Sequence, residues 1–275
     1  MNVIDTAERA KSRSAATVSA PANEASALAE RLDAELALLE TLDARIALIN
    51  AAIPGRITLS SSLGIEDQAV THAIATQDTH IDIFTLDTGR HFPETLDTIF
   101  ETEARYGMRI RVVAPEAAEV EALVAEDGIN GFRYSLDARK SCCDIRKVRP
   151  LNRALAGAEA WITGLRREQS HGRAQVPFAV YDANQKIIKL NPIADWTLSQ
   201  LEGYVAANTI PVNPLHAKGF PSIGCQPCTR AIEPGEDIRA GRWWWENENA
   251  KECGLHPVKS NDDRRDNGED LGNTR

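Results

Sequence analysis

The chain has 275 residues, 43% hydrophobic and 26% charged, with a formal net charge of −9. That length can bury a core as one large domain or two small ones, and the acidic balance excludes a general nucleic-acid binder, which needs a broad basic field. No apolar run approaches the roughly 18 residues of a membrane span, and the N-terminus lacks the basic, apolar, small-residue order of a secretory signal. The expectation is a cytoplasmic protein with neither nucleic-acid nor membrane partners.

Residues 1–24, Ala- and Ser-rich with Asp5, Glu8 and Glu24, read as a disordered leader. From 25 to 52, Leu28, Leu32, Leu36, Leu39, Leu42, Ile46 and Ile49 recur at steps of three and four, which predicts one amphipathic helix ended by Pro54-Gly55. Such a helix can serve a homo-oligomer interface as well as a core. Strands are predicted at 56–60, 81–86 and 109–113, with helices at 66–77 and 93–106 between them. That alternation implies right-handed crossovers and an α/β fold with a mostly parallel sheet. Residues 137–156 have helical composition, 160–164 resume the sheet, 176–190 suit a hairpin-like excursion and 197–208 a helix. Five prolines between Ile210 and Pro234 predict irregular chain held by something other than a ladder. Residues 259–275 read as a disordered tail, leaving 25–258 as the folded domain.

The five cysteines divide into an adjacent pair, Cys142-Cys143, a Cys225-Gln226-Pro227-Cys228 pair and a solitary Cys253. Their number is odd and their density low, so they do not form a secreted disulfide scaffold, and in a reducing compartment they stay available for metal or catalysis. Adjacent α-carbons lie about 3.8 Å apart, short of the roughly 4.4 to 6.8 Å of a relaxed disulfide, so a Cys142–Cys143 bridge would be strained. The two pairs suit zinc or an iron–sulfur cluster, and spacing alone does not choose between them; four buried structural thiols are the plainer alternative. Cys253 has Lys251 two residues before it and His256 three after, cations of the kind that raise a nucleophile's thiolate fraction. An incidental surface thiol would look the same.

Ser60-Ser61-Ser62-Leu63-Gly64 follows the first strand and Leu86-Asp87-Thr88-Gly89-Arg90 the second, where open α/β sheets bind ligands. Their hydroxyls and amides suit phosphate, although either turn also serves as an ordinary N-cap. Neither has the Lys-Ser/Thr form of a P-loop. Arginines and lysines cluster at 139–149, at Arg166-Arg167 and at Arg239 with Arg242, and guanidinium groups pair bidentately with phosphate and sulfate oxygens. Trp243-Trp244-Trp245 reads as packing; His72, His80, His91, His171 and His216 read as capping, packing or surface groups.

Taken in order, these motifs, with Lys140-Ser141-Cys142-Cys143, Gly164-Leu165-Arg166-Arg167-Glu168-Gln169-Ser170, Gly224-Cys225-Gln226-Pro227-Cys228-Thr229-Arg230 and Lys251-Glu252-Cys253-Gly254-Leu255-His256, resemble the iron–sulfur branch of the assimilatory sulfonucleotide reductases, the adenylyl-sulfate (APS) reductases. The resemblance runs from about Ser60 to His256. It implies an adenine-nucleotide α-hydrolase-like fold, related to ATP pyrophosphatases, with a flexible catalytic segment at 239–258. It implies that Cys142, Cys143, Cys225 and Cys228 ligate one [4Fe–4S] cluster and that Cys253 attacks the sulfur of APS, releasing AMP. Thioredoxin or a similar dithiol would then free sulfite from the cysteine S-sulfonate. Phosphosulfate contacts would fall to Lys147, Arg239, Arg242 and His256, and nucleotide contacts to Ser60, Ser61, Ser62, Leu86, Gly164 and Arg166. The alternatives are a cluster-bearing reductase that prefers or also uses the 3′-phosphorylated substrate PAPS, an ATP-dependent thiolase of the pyrophosphatase kind, and a non-catalytic zinc scaffold.

Overall fold

The computed structural model describes residues 20–246 together with Leu255. Its spine is a six-stranded sheet in the order β3-β2-β1-β4-β6-β5. The strands are β1 (Ile57–Ser60), β2 (Asp82–Leu86), β3 (Arg111–Val113), β4 (Ala160–Ile162), β5 (Ala179–Asp182) and β6 (Ile187–Leu190). All neighbours are parallel except β5 and β6, which pair antiparallel as the expected hairpin. The parallel α/β architecture is therefore the one the strand–helix alternation predicts.

Side-chain alternation along the strands feeds two cores. Ile57, Leu59, Ile83 and Ile162 face one layer, where they meet α1 (Ala20–Ala37), α2 (Leu42–Ala52), α3 (Ile65–Ala75) and α8 (Leu198–Ala207). Phe84, Trp161 and Ile187 face the other, against Leu151 and Leu155 of α7 (Arg149–Leu155). Burying each such side chain contributes about 1.5–3 kcal/mol before chain entropy is subtracted. The remaining helices are α4 (Pro93–Tyr106), α5 (Ala117–Asp127) and α6 (Leu136–Cys143).

Three elements differ from the sequence-based expectation. The single helix over 25–52 is two, because Thr41 caps a new helix by accepting the Ala44 amide at 3.2 Å; α1 also starts earlier, at Ala20. Helix α5 was not expected, although Val120, Leu123 and Val124 stand at helical spacing; among its residues only Leu123 is buried. The 137–156 segment is helical but interrupted by one π-helical turn, Asp144–Val148, inserted between α6 and α7. As expected, 210–234 holds no strand or α-helix, only short 3₁₀ turns at His216–Lys218 and Gln226–Cys228.

Candidate active site

A cavity of about 230 Å³ opens at the carboxyl ends of β1, β2 and β4. Ser60, Ser61, Ser62 and Gly64 line it from β1, Leu86 and Thr88 from β2, and Trp161, Thr163 and Gly164 from β4. The turn after β1 is tightly specified. Ser61 donates its amide to the Phe84 carbonyl at 2.8 Å, and its hydroxyl accepts the Leu63 amide at 3.2 Å. Leu63 itself sits in the left-handed region at φ 61, which a non-glycine residue tolerates only when its surroundings hold it there. Its side chain is buried.

Asp67 fastens this turn to the one after β4. Its Oδ2 accepts both the amide and the hydroxyl of Ser62 at 2.6 Å, and its Oδ1 accepts the Gly164 amide at 3.1 Å. A β-carbon at position 164 would overlap that same oxygen, so glycine is required there by the close approach. Burial raises the Asp67 carboxyl to about 6 even though Ser62 stabilises the ionised form. The floor is the Trp161 indole, which donates to Ser60 Oγ at 2.8 Å and carries the Lys189 ammonium over its ring at 4.8 Å.

Cations line the opposite wall. Lys147, Arg239 and Arg242 all face the cavity, with Lys147 and Arg242 buried. Arg166 does not: its guanidinium is turned to Glu66 at 3.0 Å and to the Trp196 carbonyl at 3.1 Å. Glu66 is the member of that pair that lines the cavity, along with Gln169 and Arg173, which the sequence reading did not single out. His91 and His216 line it too, contrary to their expected packing or surface roles, whereas His72 packs on the Tyr106 ring at 5.7 Å as expected, its Nδ1 hydrogen-bonded to the Tyr106 hydroxyl at 2.9 Å. Trp243 is buried as packing between the two sites, and Trp244 and Trp245 stack edge-on.

Beside the cavity the two cysteine pairs converge. Cys143, Cys225 and Cys228 are buried and Cys142 is half-buried, none of the four in a disulfide, and all packed with Phe132 and Trp243. They line one small recess with Arg90, Arg139, Arg146 and Lys147. Cys225 and Lys147 border both spaces, and the Thr88 hydroxyl touches Cys225 Sγ at 3.3 Å. Among the described residues no group of three or more His, Cys, Asp or Glu closes to the spacing of a single metal ion. A multi-iron cluster differs, since each thiolate binds its own iron and the sulfurs stay further apart.

The electrostatics of the recess suit an anionic centre. Burial raises the Cys142 thiol, and burial with the neighbouring Cys225 and Cys143 pushes Cys228 up to about 12. At Cys225 burial is again the largest single influence, but Lys147, the Thr88 hydroxyl, Arg242 and Arg146 together outweigh it and hold the thiol below its usual range. Three cations aimed at buried sulfurs offset the negative charge of a tetrathiolate cluster, so the residues present fit such a group.

Leu255 lines the cavity and packs on the Phe84–Trp161 core, bringing a point of the C-terminal segment to the site. Cys253 and His256 lie outside the described residues.

The phosphoadenosine phosphosulfate reductase domain model matches residues 56–231, which include both cysteine pairs and all three strand-end turns. The chain belongs to that family. Its members are oxidoreductases acting on sulfonucleotides, and this chain is one of them. An adenosine 5′-phosphosulfate reductase of Agrobacterium fabrum is 56% identical over 206 residues, 75% of this chain and 79% of that protein. One from Burkholderia cepacia is 50% identical over 243 residues, 88% of this chain and 93% of that one. In fold, the chain is similar to a crystal structure of phosphoadenylyl-sulfate (PAPS) reductase from Candida auris, with a TM-score of 0.63, 24% identity, and coverage of 74% of this chain and 95% of that one. Among the described residues no helix of this reductase is long and apolar enough to cross a membrane.

Proposed function

We propose that this sulfonucleotide reductase converts APS to sulfite and AMP, in sulfate assimilation. The observation that carries the reading is the cavity itself: Lys147, Arg239 and Arg242 face the Ser60–Ser62 turn across one space, beside four convergent thiols. A phosphosulfate anion would pair with those cations, and an adenosine fits the apolar and backbone surface of Leu86, Gly164 and Trp161. The relatives named adenosine 5′-phosphosulfate reductases favour APS over PAPS as the nucleotide.

The Cys253 thiolate attacks the sulfur of APS, the S–O bond to the phosphate breaks, and its electron pair leaves on AMP. The cations offset the charge that develops on the leaving phosphate. The enzyme is left as a cysteine S-sulfonate. A dithiol such as thioredoxin then attacks the Cys253 sulfur, sulfite departs, and the second thiol closes the reductant's disulfide, returning Cys253 as a thiol and supplying the two electrons of the reduction. Leu255, two residues after Cys253 in the sequence, lines the cavity, which supports this reading.

Cys142, Cys143, Cys225 and Cys228 would hold a [4Fe–4S] cluster, which would supply a fixed anionic, structural centre beside the substrate, the two electrons coming from the dithiol. Lys147 and Arg242, which face both the sulfurs and the cavity, balance their charge between the two. Anaerobic incubation with APS labelled in its sulfur, followed by mass mapping, tests the reading: the label is expected on Cys253. A label on any other cysteine, or none, rejects it.

A further inference from the structure

Two cavity histidines have their proton placement set by the backbone. His216 Nδ1 lies 3.0 Å from the Phe220 carbonyl, and His91 Nε2 lies 2.8 Å from the Leu86 carbonyl. A carbonyl oxygen only accepts, so these are the nitrogens that carry the hydrogen. In the neutral ring the other nitrogen, Nε2 of His216 and Nδ1 of His91, presents a lone pair. Both of those atoms are buried without a hydrogen-bond partner, and both residues line the cavity. The Phe92 and Phe220 rings meet edge-on at 5.6 Å, packing the two carrier segments together. Buried polar atoms in native proteins are nearly always satisfied, so two orphaned acceptors on one cavity point to a donor that arrives with a ligand.

We infer that His216 and His91 form an acceptor pair that binds hydrogen-bond donors on the nucleoside half of the substrate, an inference that rests on the sulfonucleotide reading above. The phosphosulfate half is excluded as the donor, since its ionised oxygens only accept and are drawn instead to Lys147, Arg239 and Arg242. The nucleoside offers three donors: the ribose 2′- and 3′-hydroxyls and the adenine amino group. Burial, opposed in part by Glu66, keeps the His216 ring below its usual range and so in the acceptor form at the pH of the test.

The test measures binding at pH 8 to the full-length protein, purified anaerobically, of AMP, 2′-deoxy-AMP, 3′-deoxy-AMP and purine riboside 5′-monophosphate, which lacks the amino group. The expected result is that at least one analogue binds the unmodified protein about tenfold more weakly than AMP, the loss of one buried hydrogen bond. His216→Phe or His91→Phe should weaken AMP by a similar factor and abolish the discrimination against that analogue. His216→Gln and His91→Gln, which keep an acceptor oxygen, should restore AMP binding to within about threefold. Losses that simply multiply between analogue and variant, or Phe variants that bind AMP normally because only water meets the imidazoles, overturn the inference. If the unmodified protein binds neither APS nor AMP, the sulfonucleotide reading fails and this inference with it, whereas normal APS binding with normal Phe variants rejects the inference alone.

Discussion

The Asp67 carboxylate and the Gly164 amide, 97 residues apart in sequence, meet at 3.1 Å and tie the turn after β1 to the turn after β4. Because the other Asp67 oxygen takes both Ser62 donors, one buried side chain sets two of the surfaces that the nucleotide would touch.

Asp67→Asn should raise KM for APS about tenfold with kcat changed far less. An amide has one accepting end, so it satisfies Ser62 or Gly164 but opposes its own NH2 to the other. Its effect on stability depends on pH. Burial raises the folded carboxyl from 3.8 to about 6, so between those values the folded state binds the extra proton and stability falls as pH rises. Between pH 5 and 7 this slope amounts to about 1 kcal/mol and should vanish in the variant. Glu66, the neighbouring charge that adds to the upward shift, is kept in the variant. Parallel thermal-unfolding profiles for the two proteins across pH 5 to 7 would refute the assignment.

Gly224→Ala should act on the substrate through Arg242. A β-carbon at 224 overlaps the Arg242 guanidinium, which otherwise bonds the Ile223 carbonyl at 3.2 Å and Ser222 Oγ at 3.3 Å. The overlapped atoms are the tip of a flexible side chain, so the fold accommodates the methyl by swinging the cation out of place. Displacing one charged contact should weaken APS binding roughly tenfold or more while the unfolding midpoint moves little. Unchanged APS affinity in an otherwise intact variant would show that Arg242 holds no part of the anion.

The sequence makes the parallel sheet legible because strand-length apolar runs alternate with helical ones, and it makes the strand-end turns legible because their small polar residues stand where such sheets bind ligands. It does not reveal the break at Thr41. Leu32, Leu36, Leu42 and Ile46 pack on one core from two helices, so the apolar period runs on across the junction. The cysteine pairs announce a shared site by type and spacing, and the structure brings all four into one recess. Arg166 shows the limit of that reasoning. A guanidinium after a strand suits an anionic ligand and a half-buried glutamate equally, and its partner Glu66 lies 100 residues away. The roles of His91 and His216 were likewise hidden, since each depends on a backbone carbonyl met only in the folded chain.

Cys228→Ser should lose the cluster and with it the broad absorbance near about 400 nm, while Cys253→Ser should keep the colour and lose sulfite production. The reason for the first is charge and burial: Cys228 is buried beside Cys225 and Cys143, and a hydroxyl at that position is a poor iron ligand. Lys147, Arg146 and Arg242 would then face one another with less negative charge between them, so the variant should also unfold at lower temperature. Iron content and absorbance measured on anaerobically purified protein decide both points. A colourless parent protein with stoichiometric zinc would replace the cluster by a zinc site.

Arg139 and Glu246 form a two-pronged ion pair, Nε to Oε1 at 2.9 Å and the second guanidinium nitrogen to Oε2 at 2.8 Å, with side chains 1% and 8% exposed. Burial alone would make the guanidinium give up its proton more readily, and Glu246 with the adjacent Cys143 more than reverses that. The pair anchors the chain beyond the tryptophans to α6, the helix that carries Cys142 and Cys143, with the Arg139 guanidinium also lying 4.7 Å over the Trp243 ring. Glu246→Ala takes the carboxylate from that buried cation and leaves it only Cys143 and the Trp243 ring, which should cost about 3 kcal/mol of stability. Glu246→Gln keeps one accepting oxygen and should cost less. Because the anchor lies at the start of the segment that leads to Cys253, the Gln variant should lower kcat more than it lowers affinity for APS. Equal stability of the Ala variant and the unmodified protein in denaturant titrations would show that the pair contributes nothing to holding this segment.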